Sequence, residues 1–151
     1  AAYTAPAQDI APGTSSLPIT GDVLQIDAEF SPGTASAFGL KVLGNDSEGT
    51  KVGYTTASGR AFIDRTNSGN EDFHPSFASI DDVPVQLVNG RLRLRLYVDR
   101  ASVEVFAQDG LVTLTDQVFP AAGANSLSLF SEGGAARLES LTVTPLVRAM
   151  W

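Results

Sequence analysis

LRLRLYVDRASVEVFAQDGLVTLTD, running from Leu92 to Asp116, decides the fold of this chain. Leu92, Leu94, Leu96 and Val98 alternate with Arg93, Arg95, Tyr97 and Asp99, the period-two pattern of a half-buried strand. Val103 and Val105 alternate with Glu104 and Phe106 in the same way. Between them, Asp99, Arg100, Ala101 and Ser102 suit a tight turn with Asp at its favoured first position. The pattern predicts an antiparallel hairpin with Val98 opposite Val103 and Leu96 opposite Val105 on the core side. On the outer side Tyr97 stands opposite Glu104 and Arg95 opposite Phe106. Slipping the pairing by one residue would bury arginines, so the register is strongly specified. The outer face is either a solvated set of cross-strand pairs, or a surface on which Tyr97 and Phe106 meet a ligand or partner.

The same signature recurs along the rest of the chain. DVLQIDAEF (Asp22 to Phe30), AFGLKVL (Ala37 to Leu43), KVGYTT (Lys51 to Thr56) and RAFIDR (Arg60 to Arg65) are short runs rich in β-branched and aromatic residues. SLSLFSE (Ser126 to Glu132) and ARLESLTVTPL (Ala136 to Leu146) follow. In the first run Val23, Ile26, Ala28 and Phe30 mark the apolar side, with Leu24 out of phase. The one contender for a helix, Phe73 to Val83, is broken by Pro75. Many strands without helices predict an all-β fold, either an antiparallel two-sheet sandwich or a barrel. Residues 1–21 hold Pro6, Pro12 and Pro18 and no sustained period. They are expected to form a linker-like segment or one draped over the body, with the β domain at residues 22–151.

Composition narrows the function classes. A chain of 151 residues fits one domain, and burial of roughly 70% of the unfolded surface is expected at that length. The net charge of −7 and pI near 4.5 leave no basic patch for nucleic-acid phosphates. With no cysteine, disulfides, thiolate metal sites and a cysteine nucleophile are excluded. A single histidine argues against zinc, and no EF-hand spacing is present. Asp81 and Asp82 leave a calcium loop open, although adjacent acids in a loop are ordinarily solvated. No G-x-S-x-G elbow accompanies His74. No apolar run approaches the roughly 20 residues that span a bilayer. No charged and apolar leader pattern opens the chain, so a signal peptide is expected to lie upstream or to have been removed. Neither metal nor cofactor is implied.

Three loops concentrate polar chemistry. DRTNSG (Asp64 to Gly69) combines an acid, a guanidinium, hydroxyls, an amide and glycine after a strand, and EDFHP (Glu71 to Pro75) adds acids, Phe73 and His74. TDQVFP (Thr115 to Pro120) puts Asp116 at a strand end. Each has a plain structural alternative: Asp64 caps its own turn or pairs with Arg65, His74 is a satisfied imidazole, and Asp116 is a turn acceptor. Carboxylates that accept from hydroxyls, arginines that donate, and rings that pack on C–H faces suit sugars. Two carboxylates for glycoside hydrolysis discriminate nothing among seventeen acids.

LYVDRASVEVFAQDGLVTLTDQVFP resembles the signature of the C-terminal β-sandwich domain of family 32 glycoside hydrolases, the invertases, levanases and inulinases. FGLKVL, VGYTT, FIDRTNSG and FHPSFAS lie upstream in the order that domain shows, and LESLTVTPLVRAMW is similar to its closing strand. The resemblance covers Asp22 to Trp151 and is nearest the levanase version, also classed as a family 66 carbohydrate-binding module. It implies a two-sheet antiparallel β-sandwich of jelly-roll, concanavalin-like kind. The family's catalytic segments, W-M-N-D-P-N-G, R-D-P and E-C, belong to a separate propeller and are absent here. The resemblance therefore implies a secreted, non-catalytic domain tethered to a fructan hydrolase, with no nucleic-acid or membrane partner. In the module branch it would bind the terminal fructose of levan or another fructan through Asp64, Arg65, Glu71, Phe73, His74, Glu104 and Asp116. Tyr54 or Phe73 would supply a ring. In the competing branch the sandwich only packs on its propeller, through Tyr97 and Phe106. A free-standing sandwich hydrolase is a third, remote alternative.

Overall fold

The computed structural model describes residues 3–21, 23–44, 49–64, 80–99, 102–108, 110, 112–117 and 126–146, with Ile80, Asp81, Asp116 and Gln117 described through their backbone alone. Among these residues there is no helix. The predicted hairpin forms as β9 (Leu92–Asp99) and β10 (Ser102–Ala107), in the register that alternation predicted: Val98 pairs with Val103, Tyr97 with Glu104, Leu96 with Val105 and Arg95 with Phe106. Leu92, Leu94, Leu96, Val98, Val103 and Val105 are buried. Each such side chain contributes about 1.5–3 kcal/mol by leaving water.

The hairpin lies within the first of two antiparallel sheets. Around it are β1 (Tyr3–Ala5), β2 (Gln8–Ile10), β4 (Leu24–Ser31), β11 (Val112–Gln117) and β13 (Ala136–Pro145). The order is β1-β13-β4-β9-β10-β11, with β2 also on β13. The second sheet holds β3 (Gly13–Thr20), β5 (Ala37–Gly44), β6 (Thr50–Thr55), β7 (Arg60–Asp64), β8 (Ile80–Pro84) and β12 (Ser126–Glu132), in the order β3-β12-β5-β6-β7-β8. The all-β two-sheet sandwich is thus the fold.

Between the sheets, Phe30 of β4 meets Phe38 of β5 with ring centroids 5.4 Å apart, and Tyr54 packs 5.9 Å from Phe38. In β4 the buried set is Leu24, Ile26, Ala28 and Phe30, so Leu24 is in phase after all, and Val23 precedes the strand. On the outer side of the second sheet, β5 and β6 approach closely at the paired Gly39 and Gly53. A Cβ on Gly53 would lie 2.2 Å from the Phe38 carbonyl oxygen, so only glycine fits. The Phe130 ring lies over this glycine, 6.4 Å from Phe62 and 5.2 Å below the Lys51 ammonium.

Residues 3–20, expected to be linker-like, are paired into both sheets: β1 and β2 on β13, and β3 on β12. The residues of β3 are mostly exposed, so this edge strand is held by its backbone ladder and shows no apolar alternation.

Candidate functional site

The outer face of the first sheet is built by alternation on four neighbouring strands. In β4 the buried Leu24, Ile26, Ala28 and Phe30 force Gln25, Asp27, Glu29 and Ser31 outward. The β4–β9 register then sets Asp27 beside Arg95 and Glu29 beside Arg93. Arg95 donates through Nε to Asp27 Oδ1 at 2.6 Å. Arg93 donates through Nε to Glu29 Oε1 at 2.9 Å, and Arg91 through Nη1 to Glu29 Oε2 at 2.6 Å. Gln25 Nε2 donates to Asp27 Oδ2 at 3.0 Å.

The next strand continues this lattice. β13 shifts register between Leu138 and Ser140, making Glu139 the extra residue of a bulge. Its carboxylate accepts from the Ser31 hydroxyl and pairs with Arg137 at 3.6 Å, while Arg137 also donates to Asp9 at 3.1 Å. Hydrogen bonds from Arg91 and then Arg93 hold the Glu29 carboxyl below its ordinary value of 4.5, outweighing desolvation by burial.

At the far side, the Tyr97 and Phe106 rings meet edge to face at 5.7 Å, both half-buried. An open groove of about 590 Å³ crosses the face from Ser140 and Thr142 on β13, over Asp27 and Glu29, to Phe106 and Gly110.

Gln108, just past β10, anchors the start of β9. Its Nε2 donates to the carbonyls of Gln86 at 2.7 Å and Arg91 at 3.0 Å, and its Oε1 accepts from the Arg93 N–H at 2.8 Å. The side chain is buried on a backbone with φ of 52°. The two arginines that hold Glu29 are thereby fixed through their own main chain.

The sequence-predicted residues distribute as follows. Arg65, Glu71, Phe73 and His74 lie outside the described residues. Asp64 ends β7, in register with Lys51 and Ile80 on the second sheet. Asp116 is in register with Val103 on β11. Glu104 is half-buried beside Tyr97 on the outer face of the first sheet. β11 lies against β7 and β8, so the strands carrying Asp64 and Asp116 border one side of the sandwich. Tyr54 is not available as a sugar-facing ring: it is buried, its hydroxyl donates to the Val85 carbonyl at 3.1 Å, and burial pushes the phenol up. Asp82 pairs with Arg60 at 3.0 Å, and no group of metal-ligating side chains exists among the described residues. Asp27, Glu29, Ser140, Thr142 and Gln108 were not singled out from sequence. The alternation in DVLQIDAEF already turned the first two outward, but nothing local said that β4 neighbours β9.

This sandwich, with its hairpin and outward ion-pair lattice, matches the family described as "Glycosyl hydrolases family 32 C terminal" over residues 3–145, and the chain belongs to that family. It is 42% identical over 135 residues to a levanase of Bacillus subtilis (strain 168), covering 87% of this chain and 20% of that protein. Against an extracellular exo-inulinase of Aspergillus niger it is 39% identical over 127 residues, covering 82% of this chain and 24% of the relative. The crystal structure of an exo-inulinase from Aspergillus awamori superposes with a TM-score of 0.84 at 33% identity, over 97% of this chain and 29% of that one. The chain therefore spans between about a fifth and three tenths of the length of these relatives, and corresponds to their C-terminal domain rather than to their catalytic module.

Proposed function

We propose that this domain is a non-catalytic fructan-binding module, of the family 66 carbohydrate-binding kind, that keeps an attached fructan hydrolase on its polymer outside the cell. The observation that carries the reading is the 42% identity to a levanase over 135 residues, which includes the hairpin. The paired charges of the outer face agree with it, because a neutral polymer needs donors and acceptors and no net field. The primary site takes the terminal fructose of levan near the end of β7. There Asp64, Glu71 and Asp116 accept from hydroxyls, Arg65 donates, Phe73 packs on the ring and His74 joins them, whereas Glu104, beside Tyr97 on the outer face of the first sheet, stands apart from this site. Affinity per site is weak for so small a ligand, and many chain ends supply avidity. Calorimetry of the chain with levan, inulin and free fructose tests this: saturable levan binding that changes little with salt is expected. Absence of binding to any fructan overturns it.

One second reading has its own support. In the relatives the matching region is a minor part of a longer protein, so the half-buried Tyr97 and Phe106 could serve as a contact for a neighbouring propeller. That reading stands if no fructan binds.

A further inference from the structure

The groove on the outer face of the first sheet lies on a different sheet from Asp64 and has a composition of its own. It runs across β13, β4, β9 and β10, three inter-strand gaps or about 14 Å, which is longer than one furanose ring can fill. Its volume of about 590 Å³ lies within the range of clefts that hold small ligands.

The three zones of the groove differ in chemistry. At one end Ser140 and Thr142 offer hydroxyls from β13. Along the middle, Asp27 with Arg95 and Glu29 with Arg93 form paired charges at 2.6 and 2.9 Å. Each pair presents acceptor and donor together with no net charge, which matches vicinal hydroxyls and repels neither sign. At the other end the edge-to-face pair of Tyr97 and Phe106 offers apolar ring surface. Hydroxyl, neutral ion pair and ring, in a row and preset by strand register, suit successive units of an uncharged sugar chain.

We infer that this groove is a second binding site, one that takes a run of consecutive fructosyl units within a fructan chain, separate from the site for the terminal fructose. The inference rests on the fructan-binding reading above. It gives the domain two contacts on one polymer, and the second of them depends on chain length.

The test titrates the chain with free fructose and with a ladder of levan-type oligosaccharides from the disaccharide upward, by calorimetry. Affinity is expected to rise with length until the groove is filled. Two variants address opposite ends of the groove: Phe106→Ala removes ring surface, and Ser140→Trp fills the exposed end with bulk. Each is first checked for an unchanged circular dichroism spectrum and melting temperature. Both are expected to weaken the longer oligosaccharides by about tenfold or more and to leave free fructose unaffected. If one variant fails to fold, the other decides. If fructan binds with no dependence on length, or length dependence survives both changes, the groove site is wrong while the fructan-binding reading stands. If neither fructose nor any oligosaccharide binds, the fructan-binding reading itself has failed and the groove site falls with it.

Discussion

Replacing Gln108 by alanine removes three side-chain hydrogen bonds at once. The Arg91 carbonyl keeps a partner, because Val88 N–H donates to it at 3.0 Å. The Arg93 N–H and the Gln86 carbonyl lose the partners that Gln108 supplies at 2.8 and 2.7 Å. Both groups belong to exposed residues, so water recovers part of the roughly 1–3 kcal/mol that a fully buried group would lose, and a loss of about 1–3 kcal/mol in all is expected. The left-handed backbone at this position is common to Gln and Ala, so strain cancels between parent and variant. Gln108→Gly relieves that strain yet loses the same bonds, so it too should be destabilised. Urea unfolding followed by circular dichroism reads the change as a shift in midpoint at constant slope. If both variants stay within about 0.5 kcal/mol of the parent, a difference typical of neutral surface changes, the anchoring argument is refuted.

Three further outcomes follow from the same structure. Leu94→Ala, in the middle of β9, should cost about 2–5 kcal/mol in the same urea assay; an unchanged midpoint would contradict the hairpin's burial pattern. Glu29 has a folded-state pKa below its ordinary 4.5, so its contribution is present above that value and is lost as pH falls through the lower, folded one. Between about pH 6 and about pH 3 the parent should therefore lose more stability than Glu29→Gln does; parallel curves would remove the role given to Arg91 and Arg93. Incubated with sucrose, levan or inulin, the purified chain should release no fructose, and sustained release that follows this chain through purification would falsify the non-catalytic reading.

The hairpin was legible because Leu and Val alternate with Arg, and a one-residue slip is costly in a way that local sequence expresses. The strands of residues 3–20 were not legible, because an exposed edge strand such as Gly13–Thr20 is held by its neighbour's backbone and needs no apolar side. The outer face was half legible. Its arginines could be turned outward from β9 alone, but their carboxylates sit on β4, and strand order depends on packing that no local pattern encodes. Gln108 gave no signal, since a polar residue beside Asp109 and Gly110 reads as an ordinary turn.

The seating of β13 couples the two ends of this chain in time. Tyr3–Ala5 and Gln8–Ile10 take their ladder partners from residues 136–143, and β4 has β13 as one of its two neighbours. During synthesis those early strands emerge more than a hundred residues ahead of the segment they pair with, and the edge of β4 stays open for the same interval. Contacts so distant in sequence are slow to form and reward the chain late. A growing chain of this kind must keep an unpaired, apolar-backed strand from finding a neighbour's edge until its last strand arrives. The interval between the emergence of β4 and that of β13 is therefore the vulnerable one.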